Sequence, residues 1–92
     1  MSTTTYKGFT LTTLKGYNPA AGIYTINRGT KELYVIEKTT NGGYVAYRPA
    51  VFIQFPQQAD RLARSEYEGG TLEGLFTRWV DENYGDTYAH KN

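Results

Sequence analysis

The sequence predicts an α+β domain: a four- or five-stranded antiparallel meander, a shorter helix, and a C-terminal amphipathic helix packed on one sheet face. Three observations carry this. The first half is rich in Thr, Tyr, Val and Ile with period-two alternation, the pattern of half-buried strands. Short Gly- and Asn-containing breaks separate these stretches, which favours pairing between consecutive strands. The last third carries one apolar stripe at helical spacing. A chain of 92 residues has room for one core, so 1–92 reads as a single domain with a frayed tail over 86–92.

Tyr6 to Leu14 reads as the first strand, with Phe9 and Leu11 on one face. Gly16-Tyr17-Asn18-Pro19 breaks it. Gly22 to Arg28 and Lys31 to Lys38 follow as strands around an Arg28-Gly29-Thr30 turn. Asn41-Gly42-Gly43 is the clearest hairpin signal, because Asn and Gly accept the positive φ of a tight turn cheaply. Tyr44 to Arg48 is the fourth strand, and Pro49 ends it or places it at an edge. Val51 to Phe55 is apolar and fits either a fifth strand or a buried extended connection. Pro56 suits the first turn of a helix over Gln57 to Tyr67, where Ala59, Leu62, Ala63 and Tyr67 recur at helical spacing and Gly69-Gly70 stops the run.

The final helix is the most strongly marked element. Thr71 is placed as its N-cap. Leu72, Leu75, Phe76, Trp79 and Val80 then form a continuous stripe, with Trp79 as the central packing residue and Asn83 or Gly85 at the end. Glu73 complements the helix dipole, whereas Asp81 and Glu82 oppose it.

Composition narrows the function classes. Nine Tyr, four Phe and one Trp mark a folded chain. The absence of Cys excludes a disulfide scaffold, a thiolate zinc site and a Cys nucleophile, and fits a reducing cytoplasm. The N-terminal residues lack the basic and apolar regions of a signal peptide, and no apolar run approaches a bilayer span. Net charge is +1, but it is split: residues 1–59 hold six basic and two acidic side chains, and residues 60–92 hold four basic and seven acidic.

No catalytic, cofactor or metal set emerges. His90, the only histidine, lies in the polar tail, where a base lacks support. Asp81 to Asp86 departs from a calcium loop, with Asp86 at the position that needs Gly and Asn92 at the position that needs Glu. The glycines fit no phosphate-loop pattern. Glu66, Glu68 and Glu73 are the carboxylates left for a hydrolase, and a solvated loop is the favoured reading of them. The chain therefore reads as a non-enzyme with no cofactor.

Tyrosine is the positive signal. Tyr24, Tyr34, Tyr44 and Tyr47 lie in strands whose two faces both carry apolar mass, more than one helix can cover. Exposed Tyr supplies contact area with a polar tip, so these four are candidate partner-binding residues, against cross-strand pairing as the structural reading. Gly74 projects opposite the apolar stripe, where a bare backbone admits a close neighbour. Arg28, Lys31, Lys38 and Arg48 on the strands are candidate phosphate contacts. Arg61 and Arg64 lie off the helix stripe and, with Arg48, are candidates to meet phosphate, but Asp60 to Arg64 also fits an ordinary i, i+4 ion pair, which is the favoured reading. An unpaired edge strand would also allow a homodimer.

The whole plan, a Tyr/Thr-rich meander followed by TLEGLFTRWVDEN, resembles small phage-encoded inhibitors of host defence, of the anti-CRISPR type. The resemblance implies a cytoplasmic protein that binds a nuclease or surveillance complex and blocks its nucleic-acid path. A three-stranded meander with a C-terminal helix also looks like AP2-type and integrase N-terminal DNA-binding domains. That likeness implies a nucleic-acid-binding sheet using Arg28, Lys31, Lys38 and Arg48, with Tyr34 and Tyr47 stacking.

Overall fold

The computed structural model of the chain describes residues 4–89; His90 and the end of the expected tail lie outside the described residues. The first expected strand is in fact two, β1 (Thr4–Tyr6) and β2 (Phe9–Thr13), with Tyr6 opposite Phe9. Lys7 and Gly8 turn the chain between them, both at positive φ (51° and 86°). That backbone matches the right-handed twist of paired strands. Lys-Gly is not a usual turn signal, so the alternation reads straight through it.

The next three strands lie where the pattern places them: β3 (Ile23–Arg28), β4 (Lys31–Lys38) and β5 (Tyr44–Tyr47). The Asn41-Gly42-Gly43 hairpin closes through Thr39 N–H to Gly43 O at 2.8 Å, and Asn41 Oδ1 accepts from Gly43 N–H at 3.3 Å. β6 (Tyr67–Gly69) then pairs with β5. The result is six strands in chain order, each antiparallel to the next, curled into a half-barrel.

Two expectations are corrected in the segment between β5 and β6. Val51 to Phe55 is neither strand nor extended connection; it lies largely in α1 (Pro49–Gln54), with Phe55 as its C-cap. Pro49 stands at the first helical position, where its fixed φ fits and its missing N–H costs nothing. The helix expected over Gln57 to Tyr67 shrinks to α2 (Gln58–Leu62), and Pro56 lies outside it. Beyond Ser65, whose hydroxyl donates to Leu62 O at 2.9 Å, the open edge of β5 captures the backbone: Glu66 N–H donates to Ala46 O at 2.8 Å. Ladder pairing, which takes Tyr67 into β6, thus wins over a weak stripe whose other members are two alanines and one leucine.

α3 (Leu72–Ala89) runs beyond the expected stop at Asn83 or Gly85. It lies in the hollow of the half-barrel and touches both edge strands, β1 and β6. Its Leu75, Phe76, Trp79 and Val80 pack on Phe9, Leu11, Ile26, Tyr34, Ile36 and Ala46. Polar bonds fasten the edges. Tyr6 Oη and Lys7 Nζ both donate to Asp81 (3.0 and 2.9 Å), and Asn83 Nδ2 donates to Tyr67 Oη at 3.1 Å. Arg78 Nη1 donates to Glu68 O at 3.3 Å, occupying a carbonyl on the β6 edge. Among the described residues no helix is long and apolar enough to cross a membrane.

The start of α3 explains Gly74. Thr71 Oγ1 accepts from Gly74 N–H at 3.1 Å, the cap that the sequence places there. A Cβ on Gly74 would lie 2.6 Å from that oxygen. Glycine therefore accommodates the cap, and it need not serve a partner. Gly74→Ala is expected to be near neutral in the parent chain, because about 1 kcal/mol of helix propensity offsets about 1 kcal/mol of lost capping. With Thr71→Ala already in place, the same substitution should stabilise by about 1 kcal/mol. Urea unfolding of the four chains checks this, and equal effects in both backgrounds would reject the coupling.

Candidate interaction surface

The outer face of the sheet carries a second core: Ile23, Val35, Val45 and Tyr47, covered by Leu14, Val51, Phe52 and Leu62. The segment bearing α1 and α2 thus covers a face that the sequence leaves without a lid. Glu37 and Arg61 hold that segment down, both buried. Arg61 Nε donates to Glu37 Oε1 at 2.8 Å and Nη2 to Oε2 at 2.7 Å, the two-pronged geometry that a guanidinium and a carboxylate share. Tyr47 Oη donates to Oε1 at 2.6 Å, and Gln58 Nε2 to Oε2 at 2.9 Å. The last prong, Arg61 Nη1, binds the carbonyls of Phe55 (2.9 Å) and Pro56 (2.8 Å) at the end of α1.

The electrostatics follow from this packing. Burial pushes the Glu37 carboxyl up, but the hydrogen bonds from Arg61, Tyr47 and Gln58 outweigh it and hold the group below its ordinary value. Burial, and then the bond to Glu37, pushes the Tyr47 phenol up, so it remains a proton donor. Tyr34 is raised in the same way by burial and by its bond to Glu66.

What this clamp fixes in place is an apolar surface. α1 contains no buried residue. Ile53 is 80% exposed and Tyr17, on the loop after β2, is 45% exposed. The Tyr17 ring meets Phe52 edge-on, with centroids 5.6 Å apart. Tyr17 walls two clefts. One of about 260 Å³ is lined by Ile23, Phe52, Pro56 and Arg61, and one of about 340 Å³ by Leu14, Lys15 and Pro19 among others. Two residues along the chain from Ile53, Phe55 carries the Arg64 guanidinium over its ring, with Cζ 3.7 Å from the centroid. The i, i+4 contact within α2 and its extension is Arg64 Nη1 to the Asp60 backbone carbonyl, at 2.8 Å.

The strand tyrosines are placed differently from expectation. Tyr34 (5% exposed) and Tyr47 (0%) are buried and offer no surface to a partner or a base. Tyr24 and Tyr44 are half-buried against the α3 core. Both sheet faces proved to have covers, which is why these rings turned inward. The basic residues do not converge. Arg28 lies over the Phe9 and Tyr84 rings (5.3 and 5.9 Å), beside Lys31 across a turn. Lys38 is at the other end of β4, roughly 24 Å away at about 3.4 Å per residue. Arg48 pairs with Glu66 at 3.4 Å.

Glu66 is engaged by Tyr34 and Arg48, while Glu73 is exposed in the first turn of α3. Among the described residues no group of three or more His, Cys, Asp or Glu is placed to hold a metal ion. Arg61, read as a surface cation, is instead the buried anchor. Tyr17 and Ile53 were not singled out in the sequence; the available signal was Pro49, whose position marks the start of a helix carrying Ile53. Compared with known proteins, the chain matches no family model, no curated protein and no solved structure.

Proposed function

We propose that this chain is a non-enzymatic binding protein that docks on another protein through Tyr17, Phe52 and Ile53. The observation that carries the reading is Ile53, an almost fully exposed branched side chain on a helix whose Val51 and Phe52 pack against the outer core. A buried ion pair fixes that helix, so the apolar side chain is presented on a rigid base and little ordering cost attends docking. The clefts on either side of Tyr17 suit the side chains of a partner. The likeness to phage-encoded inhibitors supplies the narrower form: a cytoplasmic inhibitor whose partner handles nucleic acid and whose nucleic-acid path is blocked on binding.

A tagged pull-down from bacterial lysate, with and without nuclease, tests this. A stoichiometric protein should be retained after nuclease treatment, and Ile53→Glu should cut its capture about tenfold or more. Thermal stability should stay within a few degrees, since Ile53 is not part of either core. Capture that vanishes with nuclease would transfer the reading to nucleic acid and to Arg28, Lys31, Lys38 and Arg48. Capture indifferent to Ile53→Glu would reject this surface.

A further inference from the structure

Resting on that reading, we infer that the docking segment is part of a protein and carries a carboxylate beside its apolar side chain, and that Arg64 receives that carboxylate. Arg64 is exposed, yet two contacts orient it: its Cζ lies over the Phe55 ring, 3.7 Å from the centroid, and one nitrogen is tied to the Asp60 carbonyl. The remaining N–H donors face solvent with no protein acceptor among the described residues. A guanidinium seated over a ring and tied at one nitrogen has lost part of its freedom before binding, and its free N–H groups form a fork for a carboxylate.

The charges around it agree. The two segments that build the surface, residues 14–22 and 48–64, hold Lys15, Arg48, Arg61 and Arg64 against one acid, Asp60. Glu37 neutralises Arg61, and Glu66 pairs with Arg48. Lys15, on the wall of the Tyr17 cleft, and Arg64 then stand against Asp60 alone, which leaves an excess of positive charge to attract an anionic partner. A second copy docked symmetrically would set this cationic surface against itself. The recessed clefts walled by Tyr17 fit side chains better than the flat face of a bilayer.

The test places the photo-crosslinking residue p-benzoylphenylalanine at position 53, irradiates the full chain in lysate, and sequences the crosslinked peptide. The expected product is a protein segment with an apolar residue and at least one Asp or Glu within a few positions. Binding of the identified protein is then measured for Arg64→Ala and Arg64→Lys. Both should weaken it about tenfold, because Lys keeps the charge but loses the fork and the stack. Circular dichroism should be unchanged for these exposed substitutions.

Arg64→Lys binding at the parent level, or a crosslinked segment free of carboxylates, overturns the inference while leaving the docking surface intact. Crosslinking only to a second copy, or co-sedimentation with phosphatidylserine vesicles that Ile53→Glu abolishes, overturns both. So does the absence of any crosslinked protein.

Discussion

Arg61→Met is expected to destabilise the protein by about 3–5 kcal/mol, measured by urea unfolding. The substitution keeps most of the side-chain bulk, so the loss reports charge and hydrogen bonding more than a cavity. It strips Glu37 of its two-pronged partner inside the outer core, and leaves the carbonyls of Phe55 and Pro56 without their donor. A buried carboxylate left without its counter-charge is expensive, whereas the intact pair contributes little net stability. Replacing both partners, as Glu37→Leu with Arg61→Met, should therefore recover about half of the loss. It should not recover all, since the two carbonyls and Tyr47 Oη remain to be satisfied. A cost below about 1 kcal/mol for Arg61→Met would mean that water reaches the pair.

The pH dependence has a definite sign. In the parent, the Glu37 carboxyl lies below the ordinary value of 4.5. Its contribution is present in full above that value and is lost as pH falls through the still lower folded value. In Arg61→Met, burial acts on Glu37 with its main counterweight gone, so the carboxyl moves above the ordinary value. Stability then rises as pH falls from neutrality. The gap between parent and variant should narrow on acidification, and a gap independent of pH would place the effect outside Glu37. At the alkaline end, Tyr47 has a raised phenol, so its share is full below the ordinary value of 10.0 and falls away above it.

The meander and α3 were legible because each rests on a local periodicity with its own punctuation: Asn41-Gly42-Gly43 for the β4–β5 turn, Thr71 for the start of α3. The elements that escaped are those decided by distant partners. β6 forms because β5 offers an open edge, and α2 stops early for the same reason. The Glu37–Arg61 pair spans 24 residues, and nothing local to either side chain marks it. The same holds for the surface. A run such as Val51-Phe52-Ile53 reads as buried by composition; only the packed position of α1 shows that Val51 and Phe52 face the core while Ile53 faces out. Tyr17 lies in a break, where side-chain periodicity says nothing about exposure.

Trp79→Ala should be the most damaging change in the other core, at about 3–5 kcal/mol. A domain of this size has a total stability of only about 5–15 kcal/mol, so the variant will be partly unfolded at ordinary temperatures. The indole packs against three rings at once: Tyr34 at 5.0 Å, Tyr84 at 5.6 Å and Phe9 edge-on at 6.4 Å. No nearby side chain can collapse into the space, because those rings are held from β2, β4 and α3. Far-UV circular dichroism against urea is the measurement, since the substitution removes the only tryptophan. Trp79→Phe should cost less than half as much and stay folded, which allows a finer test. Asp81 and Asn83, the residues that tie α3 to β1 and β6, follow Trp79 by two and four positions. If Trp79 sets the depth of the helix in the hollow, amide exchange in Trp79→Phe should accelerate first in β1 and β6. The central pair β3–β4 should stay protected. Equal acceleration in every strand would show instead that sheet and helix open as one unit, and that the edge bonds act independently of the indole.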